Sequence, residues 1–125
     1  TPTGRTVRTP EALADTGFIK ATDIEAARAA AETLPIAIPS VLAALIDADD
    51  PNDPIAGQFV PDPRETIGTA GELFDPIGDD IHSPVRGIVH RYPDRVLLTP
   101  VLICPVYCRF CFRRLYRKFR CFRSH

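Results

Sequence analysis

The chain has 125 residues, 45% of them hydrophobic and 25% charged, with a formal net charge of −1. That length is one small domain, too short to close an eightfold α/β barrel, which takes ~200 residues or more. The composition excludes collagen-like and strongly disordered chains, and no window approaches the ~20 apolar residues of a membrane-spanning helix. No basic start followed by an apolar core marks a secretory leader, so a cytoplasmic setting is expected.

Taken in chain order, Thr9-Pro10-Glu11 reads as a helix start, with a hydroxyl cap, proline in the first position and an early acid. Gly17 ends that helix. Thr22 and Glu25 match a capping box, and an alanine-rich helix follows over 24–34 until Pro35 stops it. Pro39-Ser40 opens a further helix through Val41, Leu42, Leu45 and Ile46. Residues 47–63 are rich in proline and aspartate and read as turns around a short apolar segment, 55–60. Residues 75–84 read as a second such loop. The strand signal comes late, in the apolar, β-branched run 95–103. Continuous rather than alternating apolarity suits a strand covered on both faces, as in a parallel sheet or barrel. Pro100 is awkward in a central strand, so the strand is expected to end near Thr99.

The small net charge hides a split. Residues 1–107 carry eight basic and sixteen acidic side chains, whereas residues 108–125 carry seven basic ones and no acid. All four cysteines, Cys104, Cys108, Cys111 and Cys121, lie in the last 22 residues. Clustering after a long cysteine-free stretch favours a metal or cluster site over a disulfide framework. Cys104, Cys108 and Cys111 form a C-x3-C-x2-C triplet directly after the strand. Three thiolates so close suit three irons of a 4Fe-4S cluster, leaving the fourth iron open to a small molecule. A tetrahedral zinc site completed by Cys121 or His125 is the alternative. His82 carries no argument, and His90 reads as a structural residue.

These residues resemble the lysine 2,3-aminomutase family of radical S-adenosylmethionine (SAM) enzymes. The resemblance rests on the cysteine triplet with Phe110 before its last member. It extends to His90-Arg91-Tyr92-Pro93-Asp94-Arg95-Val96-Leu97-Leu98 and Cys108-Arg109-Phe110-Cys111-Phe112-Arg113-Arg114. Upstream, Asp50-Pro51-Asn52-Asp53-Pro54-Ile55, Asp75-Pro76-Ile77-Gly78-Asp79 and Ser83-Pro84-Val85 are similar to the family's N-terminal region.

The resemblance implies an α/β architecture: a helical N-terminal extension leading into the first strand and cysteine loop of a (β/α) radical SAM barrel, truncated here. The implied division is a helical extension with Pro/Asp-rich loops over 1–89, the start of the barrel over 90–114, and an anomalous basic tail over 115–125. That tail has the composition of a frameshifted end. The implied activity moves the 2-amino group of L-lysine to carbon 3, giving β-lysine. The implied cofactors are a 4Fe-4S cluster, S-adenosylmethionine and pyridoxal 5′-phosphate, whose lysine would lie outside this chain. By similarity, Cys104, Cys108 and Cys111 would hold the cluster, with Tyr107 and Phe110 beside it; ordinary core packing is the alternative for both aromatics. Arg91 and Arg95 would face the cofactor phosphate, which suits a planar guanidinium fork. Four residues apart on one strand, they would share a face. A surface pairing with Asp94 is the competing reading. Arg113 would take the substrate carboxylate, a generic basic face being its alternative. An electron donor such as flavodoxin or ferredoxin is implied. Of two related branches, one acting on free lysine and one supplying the translation factor EF-P, residues 90–95 look more like the former. Two further readings remain, a zinc-binding module and a non-catalytic fragment. Residues 113–123 interleave aromatics with cations as single-strand binders do, but no stacking platform of known type flanks them, so nucleic acid is not an expected partner.

Overall fold

The computed structural model describes residues 4–73, 75–101 and 103–113. They fall into two compact units, one within Thr1–Gly68 and Cys104–Cys111, the other within Thr69–Ile103 and Phe112–His125. Residues 114–125, which include the basic tail over 115–125 with Cys121 and His125, lie outside the described residues.

The first unit is built of short helices. Helix α1, Pro10–Asp15, starts as the sequence predicts: Thr9 is extended, and its Oγ1 accepts the Ala12 N–H at 3.2 Å. Gly17 then takes φ +79, which lets the Phe18 N–H reach back to the Leu13 carbonyl at 2.9 Å and closes the helix. Helix α2, Ile24–Thr33, buries Ala27 and Ala30, whose small side chains permit close approach to α1. Its expected capping box does not form. Thr22 sits inside a 3-10 turn, Ala21–Asp23, and its hydroxyl turns to the Asp23 carboxylate instead. Beyond Pro35, residues 36–38 run extended and buried, and Ile38 exchanges two backbone hydrogen bonds with Val7, at 2.8 and 2.9 Å. Val7, Leu13, Ile36, Ile38 and Ala43 form the core, with Phe18, Ile46 and Phe59 against it.

The helix expected through Ile46 is a single turn, α3, Ser40–Ala43. Leu42, Ala43 and Ile46 turn to the core, whereas Val41 and Leu45 point to water, 73% and 60% exposed, so only part of the apolar run is buried. Within the proline-rich stretch, the 55–60 segment forms a helical turn, α4, Ala56–Phe59. The Asp53 carboxylate starts it by accepting the N–H groups of Ile55 and Ala56 at 2.8 and 2.6 Å. A capping box does occur at the next 3-10 turn, Pro63–Thr66, between Asp62 and Glu65.

The second unit holds the sheet. Strand β1, Ile88–Tyr92, pairs antiparallel with strand β2, Arg95–Leu98, through a tight turn at Pro93 and Asp94. Among the described residues nothing covers β2 on both faces: all four of its residues are exposed, Leu98 by 63%. Its end at Leu98 agrees with the expected stop near Thr99. The described residues are thus α/β, with a two-stranded sheet and short helices. None of those helices is long and apolar enough to cross a membrane.

Candidate functional site

The cysteine loop returns to the first unit and is tied to it by backbone. The Tyr107 N–H donates to the Ala37 carbonyl at 3.3 Å, and the Arg109 N–H to the Gln58 carbonyl at 2.7 Å. Cys108 lies between these two ties. A turn then carries the chain to Cys111, whose N–H donates to the Cys108 carbonyl at 3.1 Å.

Side-chain anchoring comes from Arg109, which the sequence reading passed over. It is buried, and its Nε and Nη2 donate to the two carboxylate oxygens of Glu65 at 2.9 and 2.6 Å. Its Nη1 donates to the carbonyls of Leu34 and Pro35 at 3.1 and 3.0 Å. Those carbonyls lie just past α2, which has no basic residue in its own last turn, so Arg109 places a cation at the negative end of that helix. Glu65 serves twice, since its Oε1 also accepts the Asp62 N–H at 3.0 Å in the capping box. The only sequence hint of this arrangement was an arginine between two cysteines.

The thiols themselves are accessible. Cys104 is exposed, Cys108 and Cys111 are half-buried, and none of the three is disulfide-bonded. Among the described residues, no three histidine, cysteine or acidic side chains converge as a metal-binding group. In donor chemistry the set fits an iron–sulfur cluster: three thiols on one eight-residue loop, with water access for loading. Phe110 is 66% exposed and is not core, whereas Tyr107 is half-buried.

The second unit carries the three arginines. Asp79, itself 2% exposed, gathers two of them: Arg113 Nε donates to Oδ2 at 2.9 Å and Arg91 Nη2 to Oδ1 at 3.2 Å. Arg91 also donates to the Ile77 carbonyl. Arg113 therefore does not belong to a generic basic face. Arg95 takes the competing reading, a surface pairing with Asp94 at 3.1 Å, and lies over the Tyr92 ring at 5.3 Å. Arg91 and Arg95 do not share a face, because Arg95 pairs across the hairpin with Tyr92, the residue after Arg91, and side chains alternate along a strand. His90 is exposed on β1, and His82 closes a 3-10 turn. The Asp75 carboxylate holds the loop below Asp79 by accepting the N–H groups of Asp80 and Asp79 at 2.8 and 2.9 Å. The Asp80 N–H, and less strongly that of Asp79, keep this carboxyl below its ordinary range.

The fold and the loop define a class: an α/β chain presenting three thiols on a single tethered loop. Comparison with known proteins makes this specific. No family model matches the chain. Over 83 residues, 66% of this chain, it is 47% identical to the L-lysine 2,3-aminomutase of Clostridium subterminale and covers 20% of that protein. Over 109 residues, 87% of this chain, it is 40% identical to the Bacillus subtilis L-lysine 2,3-aminomutase and covers 23% of it. With the Escherichia coli L-lysine 2,3-aminomutase the identity is 33% over 89 residues, 71% of this chain and 26% of that protein. The chain matches part of the lysine 2,3-aminomutases, and it spans about a fifth of the length of the curated relatives it matches.

Proposed function

We propose that this chain provides the cluster-binding loop of a radical SAM enzyme that converts L-lysine to β-lysine by moving its amino group from carbon 2 to carbon 3. The observation that carries the reading is the loop of Cys104, Cys108 and Cys111, free of disulfides and accessible, in a chain whose relatives are named L-lysine 2,3-aminomutase. When bound, the cluster with S-adenosylmethionine would supply radical initiation, and pyridoxal phosphate a carrier for the migrating amino group. In this chain the three thiolates would ligate iron, and exposed Phe110 with half-buried Tyr107 would limit water beside them. Arg91 would face the cofactor phosphate and Arg113 the substrate carboxylate, while Arg95 is held on Asp94. Arg91 and Arg113 keep about a third of their side chains exposed, 34% and 35%, so an anion can reach them. The lysine that carries pyridoxal phosphate would lie outside this chain, as would the strands that pair with β2 in a barrel. A cytoplasmic setting, a flavodoxin- or ferredoxin-type electron donor and the free-lysine branch, rather than the EF-P branch, complete the proposal.

Anaerobic reconstitution with iron and sulfide tests it, read by visible absorption and by EPR of the reduced sample with and without S-adenosylmethionine. The expected result is brown absorption with about four irons per chain, lost when Cys104, Cys108 and Cys111 are all replaced by alanine. A signal altered by S-adenosylmethionine would support an open iron. Zinc uptake without iron would favour a zinc module, and uptake of neither would favour a non-catalytic chain.

A further inference from the structure

We propose that Arg109 is the positioning residue of the cysteine loop, its buried fork on Glu65 and on the Leu34 and Pro35 carbonyls setting the path of the chain that carries Cys108 and Cys111. Its consequence for a cluster rests on the functional reading above; its geometry does not. A buried ion pair is a poor device for stability alone, since apolar residues of similar volume commonly serve as well or better. What such a pair supplies is a defined arrangement. A planar guanidinium meets two carboxylate oxygens in only one orientation, and lysine cannot reproduce that fork. Here the fork is fixed from both sides. Glu65 is oriented by the Asp62 N–H, and the two carbonyls lie at the end of α2. The backbone ties at Tyr107 and Arg109 bracket Cys108, and the turn bond links Cys108 to Cys111. Cys104 stands before the bracket and is exposed, so it serves as an internal control.

The test uses the full chain, metal-free and anaerobic. Alkylation of each cysteine by iodoacetamide is followed by mass spectrometry in the native protein, in Arg109→Lys, in Glu65→Gln and in Arg109→Met combined with Glu65→Gln. A glutamine amide still offers the oxygen that the capping box needs, so Glu65→Gln touches the fork and spares the turn. The double variant leaves no unpaired buried charge. We expect Cys108 and Cys111 to react at least about tenfold faster in the variants, the factor for losing one charge-assisted hydrogen bond from the closed loop. Cys104 should be unchanged and the helical circular dichroism retained. A merely structural role would speed all three cysteines in step with loss of the helical signal. Reconstituted protein supplies the second readout, in which release of iron to a chelator should quicken by a similar factor in the same variants. If the native chain takes up no iron, the cluster reading fails while the alkylation pattern still decides the clamp. Unchanged Cys108 and Cys111 reactivity in folded variants overturns the proposal, as does unfolding of every variant including the double one.

Discussion

Arg113 donates from Nε to Asp79 Oδ2 at 2.9 Å, across thirty-four residues of sequence, and the other oxygen of that carboxylate takes Arg91. One buried acid thus orients the two arginines proposed to meet two different anions. The trio keeps a net positive charge, so an incoming phosphate or carboxylate meets cations that are already placed.

Replacing Asp79 by alanine should release both arginines. The charge-assisted bonds it loses are worth about 1–3 kcal/mol, towards the lower end here because both guanidinium groups are partly hydrated. Amide hydrogen exchange over residues 88–98 should rise accordingly. An unchanged exchange pattern would remove Asp79 as the organiser of this unit.

Gly87 tests the hairpin from its other end. Its φ is +84, and an added Cβ would lie 3.2 Å from the Thr99 carbonyl oxygen. The Thr99 N–H also donates to the Gly87 carbonyl at 2.7 Å, so the two backbones cannot separate without losing a bond. Gly87→Ala should cost about 1–2 kcal/mol from the left-handed conformation alone. Equal exchange rates in the β1–β2 hairpin of the variant and the native chain would contradict this.

Two apolar positions should behave oppositely in urea denaturation. Leu13 is fully buried, and Leu13→Ala should cost about 2–5 kcal/mol. Val41, in the apolar run after Pro39, is 73% exposed. Val41→Ala should stay within about 0.5 kcal/mol.

Acid should weaken both units. Asp53 is held below its ordinary range mainly by the Ala56 N–H, Asp62 by the Arg64 side chain, and Asp75 by the Asp80 N–H. A carboxyl depressed in the folded state binds fewer protons there than in the unfolded chain, so stability rises with pH through this range. The contribution is complete above the unfolded value, about 3.9 for aspartate, and is lost as pH falls through the lower folded values. Thermal unfolding at pH 6 and pH 3 should show the loss, and Asp53→Asn with Asp75→Asn should flatten it. A double variant with the native pH dependence would refute this origin.

The features legible in the sequence are those decided within about one turn of chain. Thr9 caps α1, Gly17 closes it, Pro35 stops α2, and β2 ends before Thr99, because each depends on neighbouring backbone atoms. Even short motifs needed context. Thr22–Glu25 and Asp62–Glu65 both spell a capping box, but only Asp62 has the extended backbone, φ −113 and ψ 138, that lets the reciprocal bonds form. The cysteine spacing is likewise local, since three thiols within eight residues need no distant partner to be brought onto one loop.

Tertiary structure alone decided the rest. Arg109 meets Glu65 forty-four residues away and the Leu34 carbonyl seventy-five away. A carbonyl oxygen has no signature in sequence, so no pattern of residue types announces that partner. The pairing of β1 with β2 depended on a turn at Pro93 and Asp94 that the apolar run concealed, and it sent Arg91 to Asp79 and Arg95 to Asp94. Residue types determined which groups this chain has for its chemistry. Contacts between remote backbone and side-chain atoms determined which of those groups are held and which are left open to a ligand.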